Sequence, residues 1–240
     1  MAATALVAIA DRLSSEVDDL DFGGPVSYVY NPLCYARDGH IRYLQLASEA
    51  RGRVLLLGMN PGPWGMAQTG VPFGEVGAVR DWLGICPEVG RPPDEHPKRP
   101  VRGLACDRSE VSGQRLWAWA RDRFATPERF FETFFVANYC PLQFLEAGGR
   151  NLTPDRLAAD DREPLFEACD RALDAAVRVL EPRLVVGIGK FAEARARAAL
   201  GENGPPIGAV LHPSPASPAA NRGWAETVSK QLAELGVELP

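Results

Sequence analysis

The sequence has no CxxC motif, although five of its 240 residues are cysteines. The cysteines are scattered and odd in number, which argues against a disulfide framework, a zinc knuckle and a four-cysteine iron–sulfur cluster. The three histidines, His40, His96 and His212, lie too far apart in the sequence to suggest a local metal motif. We therefore expect a reduced, intracellular protein that uses no metal and no cofactor.

Long hydrophobic runs and an excess of basic charge are also missing. No apolar run approaches the roughly 18 residues of a membrane span. The N-terminal segment has no basic region ahead of its apolar stretch, so residues 1–27 are expected to form a helical segment and not a signal peptide. The formal net charge of −5 disfavours a nucleic-acid partner, but it is a sum that permits a local basic face. With 46% hydrophobic and 24% charged residues, the chain 1–240 is expected to form a single globular domain.

Short apolar runs that alternate with helical patterns predict a parallel sheet covered on both faces, and hence an α/β fold. The predicted strands are 54–57, 134–137, 184–188 and 209–211. The predicted helices are 76–83, 114–124, 164–180, 191–200 and 224–235. The segment 84–100 contains five prolines and is predicted to be an ordered, irregular excursion. A helix entry at 107–113 follows, with Ser112 as its predicted N-cap.

A glycine-rich segment, GMNPGPWGMAQTG at 58–70, directly follows the first predicted strand. It is neither a P-loop, since no Gly-Lys-Ser/Thr follows, nor a GxGxxG dinucleotide site. In one interpretation Gly58, Gly62 and Gly65 only supply positive φ for a turn. In the other, Gly62 leaves space beside a ligand, to which Asn60 presents an uncharged donor and acceptor.

Polar loops also follow the second and fourth predicted strands. Asn138 closes the second strand, and His212 begins the loop HPSPASPAANRGW after the fourth. Ligands of open parallel sheets bind beyond the carboxyl ends of the strands, so Asn60, Asn138 and His212 are expected to surround one crevice. Taken singly, Asn138 is also typical of a turn residue and His212 of a structural histidine.

Taken together, four segments resemble the single-strand-selective monofunctional uracil-DNA glycosylases, a branch of the uracil-DNA glycosylase superfamily. They are GMNPGPWGMAQTGVPFGEV at 58–76, FVANYCPL at 135–142, GRNLTP at 149–154 and HPSPASPAANRGW at 212–224. The resemblance runs from about residue 28 to about residue 235 in the same order. It implies a three-layer fold, in which a short four-stranded parallel sheet lies between helices. It also implies a monofunctional glycosylase of base excision repair that acts on single- and double-stranded DNA.

The resemblance implies a role for each residue that would meet the base once it is flipped out of the stack. Asn138 would read the Watson–Crick edge of uracil, and the backbone amide of Met59 would reach its O2. Phe73 would stack on the ring, although a phenylalanine there is also typical of a core. Gly62 would leave a pocket at the 5-position, which suits 5-substituted uracils such as 5-hydroxymethyluracil.

The resemblance assigns the chemistry to Asn60 and His212. Asn60 would position the attacking water. Because an amide cannot act as a general base near neutral pH, the glycosidic bond must break largely before the water adds. His212 would donate to uracil O2 as negative charge develops there. No lysine stands among the motif residues, so a Schiff-base lyase step is not indicated.

The loop after His212 is implied to enter the duplex and fill the gap left by the base. Animal members of the family carry a larger basic residue near Ala216. The expected DNA contacts lie in this loop and beside Gly62: Pro63, Ser214, Pro215, Ala216, Ser217, Pro218, Asn221 and Arg222. A local basic face is expected from Lys98, Arg99, Arg150, Arg222 and Lys230.

Two other functions remain open from the sequence: a hydrolase of free nucleosides, and a non-catalytic binder of damaged bases. The protein is expected to be a monomer, without a membrane partner. It is expected in the cytoplasm if the source is bacterial and in the nucleus if it is eukaryotic.

Overall fold

The computed structural model describes residues 2–47 and 53–240. The helices are α1 (Ala2–Asp18), α2 (Pro32–Tyr35), α3 (Arg37–Ala47), α4 (Met66–Thr69), α5 (Val111–Phe124), α6 (Pro127–Thr133), α7 (Ala159–Leu180), α8 (Lys190–Leu200), α9 (Pro218–Asn221) and α10 (Trp224–Glu234). The strands are β1 (Tyr28–Tyr30), β2 (Val54–Gly58), β3 (Phe134–Asn138), β4 (Gln143–Leu145), β5 (Asn151–Leu152), β6 (Leu184–Ile188) and β7 (Ile207–Val210). A π-helical turn (Ala78–Trp82) and two 3-10 turns (Gly103–Ala105, Pro154–Arg156) complete the regular structure of this part of the chain.

The central sheet is parallel and has the strand order β3-β2-β6-β7. Every residue of β2 and β6 is buried, which explains why both strands read as continuous apolar runs. Helices flank this sheet: α7 packs on α1 and α8, and α5 packs on α6 and α10. The predicted α/β, three-layer arrangement is therefore confirmed. The fourth strand begins at Ile207, two residues earlier than predicted, and ends at Val210.

A second, antiparallel sheet with the order β1-β4-β5 is absent from the sequence prediction. Two of its strands, β4 and β5, lie in the polar loop that was predicted to follow the second strand. The strands have only two or three residues each, too few for an alternating pattern to register. Their pairing depends on tertiary contacts, such as Val29 opposite Phe144.

The start of α5 differs from the prediction. Ser112 is not the N-cap, because the helix already begins at Val111 and the N-cap position belongs to Glu110. The side chain of Glu110 makes no capping hydrogen bond. It is turned instead toward glycines of the segment 58–70, where the missing side chains leave room for it.

The excursion 84–100 contains no helix or strand, as predicted. The predicted helix 76–83 is present in part as the π-helical turn Ala78–Trp82. No helix within the described residues combines the length and the apolar content of a membrane span.

Candidate active site

The carboxyl ends of β2 and β3 leave the sheet side by side. Their pairing continues past the strands, since Tyr139 N donates to Gly58 O at 3.0 Å and Cys140 N donates to Met59 O at 2.8 Å. His212 follows two residues after the end of β7 at the same edge of the sheet. The parallel topology therefore places the three predicted polar residues at one edge, as the sequence predicts.

Gly58 forms the floor of a slot between an amide and an aromatic ring. A Cβ atom on Gly58 would lie 2.5 Å from Oδ1 of Asn138 and 2.5 Å from Cε2 of Phe73. None of Gly58, Gly62 and Gly65 has a positive φ, so the turn interpretation does not explain these glycines. They are required where other groups approach the backbone closely. The slot offers one hydrogen-bonding edge and one aromatic face, which suits a flat heterocyclic ring.

Replacing Gly58 with alanine is expected to abolish recognition by this slot. The added methyl group must displace Asn138 or the ring of Phe73, since real Cβ atoms do not tolerate 2.5 Å contacts. Because a small misplacement of a reacting group can cost about 10²-fold in rate, we expect a loss of at least that size. Gly148→Ala is the matched control, because no atom lies within 4 Å of its Cβ position. Equal single-turnover rates for the two variants would show that the slot is not the substrate pocket.

Phe73 is held in an unusual backbone conformation, with φ of +54°. Its carbonyl oxygen accepts from Trp117 Nε1 at 3.1 Å and from Glu75 N at 2.7 Å. Gly113 of α5 packs so closely on this carbonyl that a Cβ there would overlap it. Strain of this kind persists only where the surroundings impose it, and it is frequent at functional sites. The sequence analysis missed Trp117 and Gly113, because both act through a backbone atom.

The side-chain amide of Asn138 lies with its Nδ2 3.2 Å from the sulfur of Met66. A thioether is a weak acceptor, and it engages only one of the two amide hydrogens. Oδ1 points along the slot above Gly58. The amide therefore presents an acceptor and a donor to a ring lying in the slot.

Tyr139, the residue directly after Asn138, fixes the end of β3. Its hydroxyl donates to Asp170 Oδ1 of α7 at 2.7 Å and accepts from Arg195 Nε of α8 at 3.1 Å. Arg195 also forms an ion pair with Asp170. Burial, together with the bond to Asp170, raises the pKa of Tyr139, so the hydroxyl stays protonated. The sequence analysis did not identify this network, which connects the backbone beside Asn138 to helices α7 and α8.

Asn60 is oriented by main-chain carbonyl groups, the nearer of which belongs to Leu142 and the farther, at 3.5 Å, to Pro61. Its Nδ2 donates to the carbonyl oxygen of Leu142 at 3.1 Å. With the nitrogen directed there, Oδ1 is the end of the amide that can accept a hydrogen bond from a water molecule. This orientation suits a residue that positions water.

His212 lies beside Phe73, with 6.4 Å between the ring centroids and 43° between the ring planes. It also packs on Gly189, whose Cβ position would be 3.3 Å from Cβ of His212. Burial lowers the pKa of His212, so its imidazole is neutral at physiological pH. A neutral imidazole can donate an N–H hydrogen bond to a developing anion without transferring a proton.

The loop after His212 is braced by Arg115 of α5, a residue the sequence analysis missed. Arg115 donates to the carbonyl oxygens of Pro213 and Ser214 at 3.1 and 3.4 Å, and to Oδ1 of Asn221 at 2.8 Å. Asn221 in turn donates to the carbonyl oxygen of Pro215 at 2.9 Å. Asn221, predicted to contact DNA, therefore serves to close the loop. Only a tertiary contact, 98 residues away in sequence, reveals the role of Arg115.

Other predicted contact residues of this loop are divided between its scaffold and its tip. The hydroxyl of Ser217 caps α9 by accepting from Ala220 N, and Ser214 Oγ accepts from Ala216 N at 3.2 Å. The exposed residues of the loop are Pro215, Ala216, Pro218, Asn221 and Arg222.

The sequence analysis expected open space beside Gly62, but the structure shows that this space is filled. It contains the carboxyl group of Glu110, whose Oε2 is also 2.5 Å from the Cβ position of Gly65. Burial, with a smaller contribution from the charge of Glu75, raises the pKa of Glu110 to about 7, although the backbone amides of Trp64 and Gly65 act to lower it. A substantial fraction of this carboxyl group therefore carries a proton near neutral pH.

Basic side chains surround Trp64, a residue of the glycine-rich segment 58–70. The guanidinium groups of Arg99 and Arg108 lie 5.4 and 5.3 Å from the centre of the indole ring. Lys98 and Arg102 line the same groove. We call these five residues the Trp64 cluster. It contains two of the predicted basic residues.

Two other members of the predicted basic face have acidic partners. Arg150 lies 3.8 Å from Glu146, and Lys230 lies 3.9 Å from Glu234. In residues 2–47 and 53–240, no three histidine, cysteine, aspartate or glutamate side chains are grouped to hold a metal ion.

Comparisons with known proteins identify a family and a fold for this arrangement. The model of the uracil DNA glycosylase superfamily matches residues 46–235. The single-strand selective monofunctional uracil-DNA glycosylase of Rattus norvegicus is 53% identical over 228 residues, which cover 94% of this chain and 82% of that protein. The proteins of the same name from Mus musculus and Bos taurus are each 52% identical over 94% of this chain, covering 82% and 84% of their own lengths. The crystal structure of Pedobacter heparinus SMUG2 shares the fold, with a TM-score of 0.65 at 18% identity over 95% of this chain and 97% of that chain.

Proposed function

This chain belongs to the uracil-DNA glycosylase superfamily, and we propose that it excises both uracil and 5-substituted uracils such as 5-hydroxymethyluracil from DNA. It is a hydrolase that cleaves N-glycosidic bonds. Its reaction is monofunctional, so an abasic site is left for base excision repair. Single-stranded DNA is the favoured substrate, and we include double-stranded DNA in the proposal.

The observation that carries the proposal is the slot between Asn138 and Phe73 above Gly58. Uracil has an N3–H donor beside an O4 acceptor, and one amide can pair with both. Cytosine presents an amino donor at position 4, where Nδ2 would oppose it. The face of Phe73 provides a stacking surface once the base has left the helix, which costs a few kcal/mol.

The reaction proposed for this slot separates bond breaking from water attack. As the bond from C1′ to N1 breaks, its electron pair moves onto the base, and His212 donates to O2, where negative charge accumulates. The sugar becomes oxocarbenium-like. Asn60 then holds a water molecule that adds to C1′ and releases its proton to solvent. A neutral His212 fits this role, because it stabilises the anion without having to protonate it.

The exposed tip of the loop 212–224 supports a contact with duplex DNA. Pro215 and Ala216 are exposed and directly follow the two carbonyl groups that Arg115 binds. We propose that these small residues occupy the gap left by the flipped base. Because alanine fills less of that gap than a long side chain, single-stranded DNA, which needs no wedge, should be the better substrate.

The test is release of the base from synthetic oligonucleotides. Single- and double-stranded oligonucleotides carrying uracil or 5-hydroxymethyluracil are incubated with the protein, and abasic sites are revealed with alkali. Cleavage of both bases, faster in single strands, is expected. Hydrolysis of free deoxyuridine at a comparable rate would favour a nucleoside hydrolase. Retention of uracil DNA without base release would favour a non-catalytic binder.

The Trp64 cluster is expected to contact the phosphate backbone of the strand. Arg108→Ala should weaken binding of single-stranded DNA several-fold, and it should reduce the slope of log K against log salt by about 0.7 for one lost phosphate contact. Lys230→Ala is the control, because Lys230 lies on α10 with Glu234 as its partner. Fluorescence anisotropy over a range of salt concentrations measures both slopes. Identical slopes for Arg108→Ala and the wild type would show that the DNA phosphates do not contact Arg108.

A further inference from the structure

Glu110 is a half-buried residue with a buried carboxyl oxygen, and the mechanism above gives it no role. Its Oε2 is shielded from solvent and has no hydrogen-bond partner within the described residues. A buried polar atom without a partner is costly and calls for an explanation. Its side chain does not cap α5, the helix it precedes, so helix stability does not provide one.

The position of Glu110 relative to the glycine segment suggests what the oxygen faces. Of the atoms near the Cβ position of Gly62, the three nearest all belong to the carboxyl group of Glu110. The same group lies closest to the Cβ position of Gly65, at 2.5 to 2.9 Å. The carboxyl group therefore occupies the volume that a side chain at position 62 would fill. In the proposed function that volume borders the 5-position of the bound pyrimidine.

We propose that Glu110 determines specificity at the 5-position, and that its Oε2 hydrogen-bonds to the hydroxyl of a 5-hydroxymethyl or other hydroxylated 5-substituent. This inference rests on the proposed function, since it takes binding of uracil in the slot as given. The wall of the pocket is then a polar group. The residues of the motif itself, Gly62 and Gly65, contribute by leaving room for it.

The same geometry explains how thymine is refused. A 5-methyl group directed at Oε2 would cover a buried polar atom without offering it a hydrogen bond. A site built to hydrogen-bond a hydroxyl rejects the analogue that lacks it far more strongly than an apolar pocket rejects a methyl group. Uracil has only hydrogen at this position, and it leaves space for a water molecule to satisfy Oε2.

The protonation state of Glu110 suits this role. A protonated carboxyl group can both donate to and accept from a hydroxyl, and burial favours that form. The one charged side chain that further raises its pKa is Glu75, while the amides of Trp64 and Gly65 favour the ionised form. A neutral acid also avoids placing a negative charge beside a departing anionic base.

The test compares two bases in one set of variants. Single-turnover release of 5-hydroxymethyluracil and of uracil from single-stranded oligonucleotides is timed with the wild type and with Glu110→Met. Methionine is close in size but has no strong hydrogen-bonding group. We expect release of 5-hydroxymethyluracil to fall at least about 10-fold more than release of uracil. An unchanged ratio of the two rates would overturn the proposal. Glu110 would then serve only to support the glycine-rich segment 58–70.

Two further variants separate this role from structural effects. Glu110→Gln keeps the volume and the ability to donate and accept, so it should retain the wild-type ratio within about 3-fold. A ratio in Glu110→Gln as low as in Glu110→Met would contradict the proposal, and this variant decides the matter if methionine prevents folding. Glu202→Met removes a carboxylate in the exposed turn after α8, outside the site, and should leave the ratio unchanged. If this control lowered the ratio as much as Glu110→Met does, the proposal would be overturned. A wild-type protein that releases no uracil would instead refute the proposed function.

Discussion

Asn60→Ala is expected to lower single-turnover release of uracil by about 10²-fold or more, because the attacking water loses the group that positions it. The orientation of this amide is set by the bond from Nδ2 to the carbonyl oxygen of Leu142, 3.1 Å away. Alanine removes Oδ1 from the crevice and leaves the Leu142 carbonyl without this donor. The protein should still bind uracil DNA, since Asn138 and Phe73 remain.

The measurement is the rate of abasic-site formation at saturating enzyme, with the affinity for uracil DNA determined separately. Asn203→Ala, in the exposed turn after α8, is the control and should match the wild type. If Asn60→Ala lowered affinity and left the rate at saturation intact, Asn60 would be a binding residue. The water would then be positioned by another group.

The central sheet could be predicted from the sequence because its strands are buried on both faces. Such strands appear as apolar runs, and the run 184–188 coincides with β6. The carboxyl-end rule then brought Asn60, Asn138 and His212 to one edge of the sheet without any structure. Boundaries were less certain where a strand is only partly buried, as in β7, which alternates buried and half-buried residues.

The sequence could not show the residues that act through distant contacts. Arg115 and Trp117 both fit the pattern of an amphipathic helix. Nothing in the local sequence shows that Arg115 holds the loop after His212 or that Trp117 holds the carbonyl of Phe73. Glu110 was equally hidden, because its importance lies in what Gly62 lacks. A glycine in a motif indicates that some group approaches closely, but it does not identify that group.

His212→Ala is expected to lower single-turnover release of uracil by about 10²–10³-fold, the usual cost of losing one preorganised donor to a developing anion. The loss should shrink for 5-fluorouracil, because its electron-poor ring stabilises the negative charge with less help. The Asn60→Ala loss should be similar for both bases, since that side chain acts on the water.

The two variants therefore test a division of labour across one bond. His212 lies against the ring of Phe73, on which the base is proposed to stack, with 6.4 Å between ring centroids. Asn60 is directed by the carbonyl oxygen of Leu142, the residue just before β4. Release of uracil and 5-fluorouracil by each variant, timed at saturating enzyme, gives four losses to compare. A His212→Ala loss of the same size for both bases would remove histidine from the leaving-group role. It would then be a structural residue of its loop, packed on Gly189, and the charge on O2 would have to be met by another donor.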